Sequence, residues 1–195
     1  MPAASHGDVD LSDPFKARCR ALSQFLAGVE VRAFRIAQVA LRHEDDALDA
    51  VQDAMLQLAR AYAHRPAEEW RPLFYRILEN RIRDLQRRRT VRNRVIAWLP
   101  SRTEAEADLP DPIAEAASED PQPARRLEID EAVAALEKAI AALPRRQRQA
   151  FLLRTLEGLD VAQTAKAMGC SEGSVKTHYF RALQTLRAQL GEHVS

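Results

Sequence analysis

With 195 residues the chain can form one mid-sized or two small domains, and 29 Lys and Arg against 28 Asp and Glu leave a formal net charge of +1. Glycine is scarce and Ala, Leu, Arg and Glu dominate, which favours helix because these side chains lose little rotamer freedom there. Cys19 and Cys170 lie far apart in no metal-ligand spacing, which argues against a disulfide framework or zinc site and suits a reducing cytoplasm. No basic segment followed by an apolar run opens the chain, and no stretch nears the roughly 20 apolar residues of a membrane-spanning helix.

Residues 1–13 are polar, with Pro2, Gly7 and three aspartates, and read as a flexible tail. Ser12-Asp13-Pro14 reads as a helix start, with a capping side chain before a proline at the first helical position. From there Phe15, Cys19, Leu22, Phe25-Leu26, Val29, Ala33, Ile36-Ala37 and Ala40-Leu41 recur at helical spacing, with Gly28 as an expected break. A second helix is predicted over 44–62, apolar at Ala47-Leu48, Val51, Met55 and Leu58. Its first turns are crowded with acids, which oppose the helix dipole favourably. His64-Arg65-Pro66 makes a loop, and a third helix follows over about 68–96 with Phe74, Ile77-Leu78, Ile82 and Leu85 inward. Pro72 near its start is tolerable in a first turn. Beyond Leu85 the sequence turns basic, with Arg87, Arg88, Arg89, Arg92 and Arg94.

Residues 98–128 differ in character: five prolines punctuate the stretch, and its seven acids between Thr103 and Asp120 have no Lys or Arg among them. Too few large apolar residues are present to offset the entropy of ordering it, so it reads as an acidic linker. Helical periodicity resumes with Leu127, Ala132-Val133, Leu136 and Ile140, then again from Arg145 to about Glu157, ended by Gly158. With no strand-like alternation, the fold class is all-α. Two small helical bundles, residues 14–97 and 129–195, are joined by the acidic, proline-containing linker.

The last segment, Val161 to Leu190, has the form of a helix-turn-helix. Ala165 lets two helices approach closely, Gly169 tolerates a positive φ in the turn, and Ser171 can cap the second helix. Val175, Tyr179, Ala182, Leu186 and Leu190 form one apolar stripe, which leaves Ser174, Thr177, His178 and Arg181 facing outward. Short polar groups with cations on an exposed helix suit major-groove reading, and Arg145, Arg146, Arg148 and Lys176 are available to phosphates. In the N-terminal half, Trp70, Phe74 and Tyr75 precede the arginine-rich helix end. Aromatics beside cations suit unpaired bases, although Phe74 at helical spacing from Ile77-Leu78 fits a core position better. His43-Glu44 lacks the second histidine of a zinc protease motif, and the chain holds no phosphate-cradling loop or activated nucleophile. No enzyme, metal or cofactor is expected.

Four stretches together resemble the sigma-70 superfamily of RNA polymerase sigma factors. His43 to Asp53 resembles region 2.2, and Leu73 to Asp84 with Arg87 to Arg89 resembles regions 2.3 and 2.4. Leu143 to Arg154 with Glu157-Gly158-Leu159 is similar to region 4.1, and Ser171 to Ala182 to region 4.2. Regions 2 and 4 without a domain between them are typical of the extracytoplasmic-function group. The resemblance implies that Asp49, Gln52 and Asp53 engage the β′ clamp of core RNA polymerase, with the β flap as a second contact. It further implies that His64, Arg65, Tyr75, Arg76, Asn80, Arg83, Arg87 and Arg88 meet the promoter −10 element, the 62–70 loop holding a flipped base. Ser174, Lys176, Thr177, His178, Phe180 and Arg181 would then face the −35 element. An anti-sigma protein, common in the group, is a further partner. His178 stands where the family commonly has Arg and lacks the bidentate guanine contact of that residue. The Lys176-Thr177-His178 run is also similar to the LuxR-type DNA-binding domain, so a regulator acting without polymerase stays open at this level, as does a helical adaptor.

Overall fold

The computed structural model describes residues 14–98 and 123–191, which form seven α-helices: α1 (Pro14–Leu41), α2 (Glu44–Tyr62), α3 (Ala67–Trp98), α4 (Pro123–Ala142), α5 (Arg145–Thr155), α6 (Val161–Met168) and α7 (Glu172–Gly191). The tail and most of the linker expected from the sequence lie outside these residues, and α4 begins within the stretch read as linker. Among the described residues no helix is long and apolar enough to cross a membrane.

Helices α1, α2 and α3 pack on one another through a seam of very small residues. Ala33, Ala37, Ala47, Ala50 and Ala54 are fully buried and bring the backbones close, while Val29, Leu58, Phe74 and Leu78 fill the remaining space. Phe25 extends this core, its ring 5.9 Å from that of Trp70 and edge-on to Phe74 at 6.2 Å. Helix α1 runs unbroken through Gly28, whose carbonyl accepts a hydrogen bond from Arg32 Nη2 at 2.9 Å. A single glycine weakens a helix by only about 1 kcal/mol, and the packing on both sides of it outweighs that. The reversal into α2 occurs at Arg42, which has φ 52°, and His43 caps α2 by accepting the Asp46 amide at Nδ1. The C-terminal carbonyls of α1 are satisfied from α3: Gln86 Nε2 donates to Ala40 O and Arg89 Nη1 to Leu41 O. Arg89 also pairs with Asp46 at 2.6 Å and so fastens the end of α1 to the start of α2. Pro72 falls in the second turn of α3 and is buried there, where it forfeits one intrahelical bond.

In the C-terminal half α7 is the central element, with α4, α5 and α6 packed around it. Helix α6 opens with a capping box: Asp160 accepts the Gln163 amide at 2.7 Å and the Gln163 side chain accepts the Asp160 amide at 3.2 Å. It closes on Gly169 in the left-handed region at φ 61°, and Ser171 Oγ accepts the Ser174 amide at the start of α7. The turn after α5 uses Gly158, φ 67°, in the same way.

Several expected core positions are exposed instead. Leu48 lies on the outer side of α2, Cys19 is exposed on α1, and Val133 and Leu136 on α4 face outward, with Ala139 and Ile140 carrying that helix's buried contact. These helices bury a narrower stripe than their apolar residues cover, because each meets its neighbours along one side only.

The two halves also touch each other. Helix α6 packs on α3, α4 touches α1, and the buried residues form one continuous core.

Candidate nucleic-acid and protein interfaces

Helix α3 presents two separate outward faces. Arg76, Asn80, Arg83 and Arg87 follow one another at intervals of four, three and four, so they lie on one side of the helix, and all four are exposed. None makes an ion pair with another described residue, so the four can serve an external ligand. Around the helix, Arg81, Asp84 and Arg88 turn toward α2. There they line a cleft with Asp49, Gln52, Asp53, Leu56 and Leu85, and Arg81 Nε stands 3.8 Å from Asp53 Oδ2. The structure thus brings the three acidic-helix candidates together and adds Leu56, an exposed leucine beside them. It places Arg88 in this cleft rather than in the basic stripe expected from the arginine run. The run Arg87 to Arg89 therefore divides: Arg87 is in the stripe, Arg88 is in the cleft, and Arg89 is an internal staple.

His64 and Arg65 are exposed in the short connection between α2 and α3, where Arg65 approaches Glu69 at 3.8 Å. The aromatic platform is not on this surface. Trp70, Phe74 and Tyr75 are all buried, Tyr75 with only 2% of its surface exposed and its ring edge-on to Phe74 at 5.1 Å. Phe74 is core, as its spacing indicates. Tyr75 points from α3 toward the C-terminal half, away from the stripe that carries Arg76. Burial first, and then the negative charge of Glu157, pushes its hydroxyl pKa far above the ordinary 10.0, so it stays neutral.

On α7 the outward residues fall on two neighbouring strips. Ser174, Thr177, His178 and Arg181 share one side, Ser174 and His178 half-buried and the others exposed. Lys176 and Phe180 share the next, and Phe180 leaves 59% of its surface open. Behind them Val175, Ala182 and Leu186 are buried, and Tyr179 stacks on Phe151 at 6.4 Å with the Arg154 guanidinium 5.9 Å above its ring. The same Arg154 donates to the Leu159 carbonyl.

Three arginines read as phosphate ligands are engaged internally. Arg145 Nη1 pairs with Glu79 at 2.7 Å, Arg146 Nη1 donates to Met168 O at 2.7 Å, and Arg148 Nη1 donates to Ala141 O at 3.0 Å. Carbonyls at helix ends attract cations, and these three lie within reach of two such ends and one half-buried acid, Glu79. Among the described residues, Lys176 alone of the expected set is exposed without a partner.

The residues missed by sequence reasoning are Arg32, Arg71, Glu79 and Glu157. Glu157 has a fully buried side chain, with Arg32 Nε at 2.8 Å and Arg71 Nε at 3.9 Å. These contacts span 125 positions for Arg32 and Glu157, and no periodicity within one helix signals them.

Comparison with known proteins places this architecture. Residues 134–186 match the family model for sigma-70, region 4. Over 165 residues the chain is 31% identical to the ECF RNA polymerase sigma factor SigM of Mycobacterium tuberculosis, covering 80% of this chain and 70% of that protein. The chain belongs to the ECF RNA polymerase sigma factors. A 53-residue stretch is also 47% identical to the ECF RNA polymerase sigma factor BldN of Streptomyces coelicolor, covering 27% of this chain and 20% of that one. Among solved structures, CnrH in complex with the cytosolic domain of CnrY shares the fold at TM-score 0.57 and 23% identity, over 91% of this chain and 94% of that one. The sigma factor RpoE of Bartonella quintana, solved with the anti-sigma factor NepR, does so at TM-score 0.56 and 24% identity, over 91% and 96%. As a sigma factor this chain is a transcription initiation factor, working with core RNA polymerase and promoter DNA. Neither the LuxR-type regulator nor the adaptor is favoured.

Proposed function

We propose that the α2–α3 cleft is the polymerase contact of this sigma factor and that the basic stripe on α3 and the outer strips of α7 are its two promoter readers. The observation carrying this reading is the division of α3 into two faces: Arg76, Asn80, Arg83 and Arg87 exposed and in no ion pair among the described residues, with Asp49, Gln52 and Asp53 on the other side. A row of cations with an amide suits a phosphate backbone and base edges. A separate acidic face with Leu56 suits a basic protein surface, for which the β′ clamp is the reading and the β flap a second contact of the C-terminal half. On α7, Thr177, His178 and Arg181 read the −35 element with Lys176 on phosphate, and Phe180 offers apolar contact to a thymine methyl. His64 and Arg65 flank the −10 strand at the start of α3. The protein acts in the cytoplasm, makes and breaks no covalent bond, and has an anti-sigma protein as a further partner, as the Bartonella relative does.

Run-off transcription with purified core enzyme tests the reading, the expected outcome being promoter-specific transcripts only when this chain is added. The paired change Asp49→Lys with Asp53→Lys reverses two charges at the cleft. It is expected to weaken core binding by at least about a hundredfold, since like charges across a protein interface cost several kcal/mol. Unchanged core affinity in a pull-down titration would discard the cleft as the polymerase contact.

A further inference from the structure

Two ion pairs cross between α2 and α3, and they are of different kinds. Asp46, early in α2, pairs with Arg89 at 2.6 Å, and Asp53, later in α2, stands 3.8 Å from Arg81, earlier in α3, so the two helices run antiparallel. Arg89 also donates to Leu41 O, which makes its pair a structural fastening. Arg81 is held more loosely. Its 3.8 Å contact is beyond hydrogen-bonding distance, its Nε is buried without a hydrogen bond, and Asp53 keeps 56% of its side chain exposed. Among the described residues Arg81 makes no hydrogen bond, so its remaining donors are free for an outside acceptor.

The two walls of the cleft match in spacing and differ in sign. Asp49, Gln52, Asp53 and Leu56 stand at i, i+3, i+4 and i+7 on α2. Arg81, Asp84, Leu85 and Arg88 repeat the same intervals on α3. Each wall therefore runs about 10 Å at 1.5 Å per residue, two helical turns. Each carries one leucine, Leu56 exposed and Leu85 half-buried. The α2 wall adds two carboxylates and an amide, whereas the α3 wall sets two guanidiniums around one carboxylate. The basic surface that the α2 acids suit is thus only half of the fit. A partner basic throughout would bring like charge against Arg81 and Arg88, and such juxtapositions suppress binding. A helix laid in the groove with a base and an acid on one face satisfies both walls, with apolar stems on the leucines.

We propose that the cleft recognises a two-turn helical segment of core RNA polymerase that carries both signs, a basic side chain set against Asp49 and Asp53 and an acidic one set against Arg81 and Arg88. The proposal rests on the reading of this cleft as the polymerase contact. It assigns Arg81 and Arg88 to the polymerase, although they lie on the helix that carries the basic stripe. One rigid helix then serves two ligands, with polymerase on one face and the DNA strand on the next.

The test is a titration of purified core enzyme with charge variants of the full chain. Arg81→Glu with Arg88→Glu is expected to weaken core binding about tenfold while circular dichroism stays helical. A partner basic throughout would bind this variant more tightly, so a gain in affinity, or no change, overturns the proposal. Exchanging charges between the walls separates a partner contact from an internal role. Asp53→Arg with Arg81→Glu keeps an opposite pair between α2 and α3 but reverses what each wall presents. It should bind core no better than Arg81→Glu alone. Recovery of the parental affinity would reduce Arg81 to a positioning residue for Asp53 and overturn the proposal. If the glutamate variants do not fold, Arg81→Gln with Arg88→Gln decides the same question, with an expected loss of about threefold. The change Asp49→Lys with Asp53→Lys keeps the two readings apart. If it leaves core affinity unchanged, the cleft is not the polymerase contact. If it weakens binding and the arginine variants do not, the two-signed partner alone is overturned.

Discussion

The two halves of this sigma factor are stabilised by different means. The N-terminal half consists of long helices of 28, 19 and 32 residues, held by an alanine seam and an aromatic cluster. Its C-terminal counterpart sets two short helices, of 11 and 8 residues, beside α4 and α7 of 20 residues each, and the shortest is defined by its ends. Asp160 and Gln163 start α6, Gly169 stops it, and Ser171 starts α7. Long helices tolerate a poor local signal because packing dominates, as Gly28 and Pro72 show. A helix of eight residues has little propensity to draw on, and capping determines whether it forms.

This contrast can be broken most severely in the N-terminal core. Phe74 is fully buried, in contact with both Phe25 and Tyr75. Phe74→Ala is expected to cost about 3–5 kcal/mol by leaving a cavity, read as a lower midpoint in urea unfolding followed by helical circular dichroism. A loss below about 1 kcal/mol would mean that the alanine seam alone holds the three helices.

The corresponding weak point of the C-terminal half is conformational. A methyl group at Gly169 meets nothing within 4 Å, so Gly169→Ala introduces no clash, but it forces an L side chain into a backbone at φ 61°. The expected cost is about 1–2 kcal/mol, smaller than at Phe74 and arising from backbone strain alone. Gly169→Asn should recover part of it, because Asn visits the left-handed region more readily. Equal unfolding midpoints for the Ala and Asn variants would show that the turn is not what limits this half.

The same contrast explains what could be read from the sequence. The helix-turn-helix was legible down to Ala165, Gly169 and Ser171, because its geometry is set by residues within a few positions of one another. That Asp49, Gln52 and Asp53 share one side of α2 was legible for a similar reason. The arginine run was not resolved, since Arg87, Arg88 and Arg89 point in three directions and only tertiary neighbours assign them. Tyr75 and Arg145 were read as facing DNA, yet each is turned inward by a partner from the other half of the chain. Contacts between distant segments leave no periodic trace, so the interface between the halves had no sequence signal at all.

The smallest effect concerns pH, and it sharpens the comparison at the place where the halves meet. Burial raises the pKa of Glu79 above its ordinary 4.5, and Arg145 first, then Arg148 and Arg146, all from α5, pull it back only in part. Glu79 therefore binds a proton more tightly in the folded protein than in the unfolded chain. Its contribution to stability is full below about 4.5 and is lost as pH rises through the higher folded-state value. Glu79→Gln, permanently neutral, should remove that part of the pH dependence in urea unfolding. At neutral pH the Gln variant should be the more stable of the two. If it is instead the less stable, the 2.7 Å pair with Arg145 contributes more to holding the halves together than burial of the carboxylate costs.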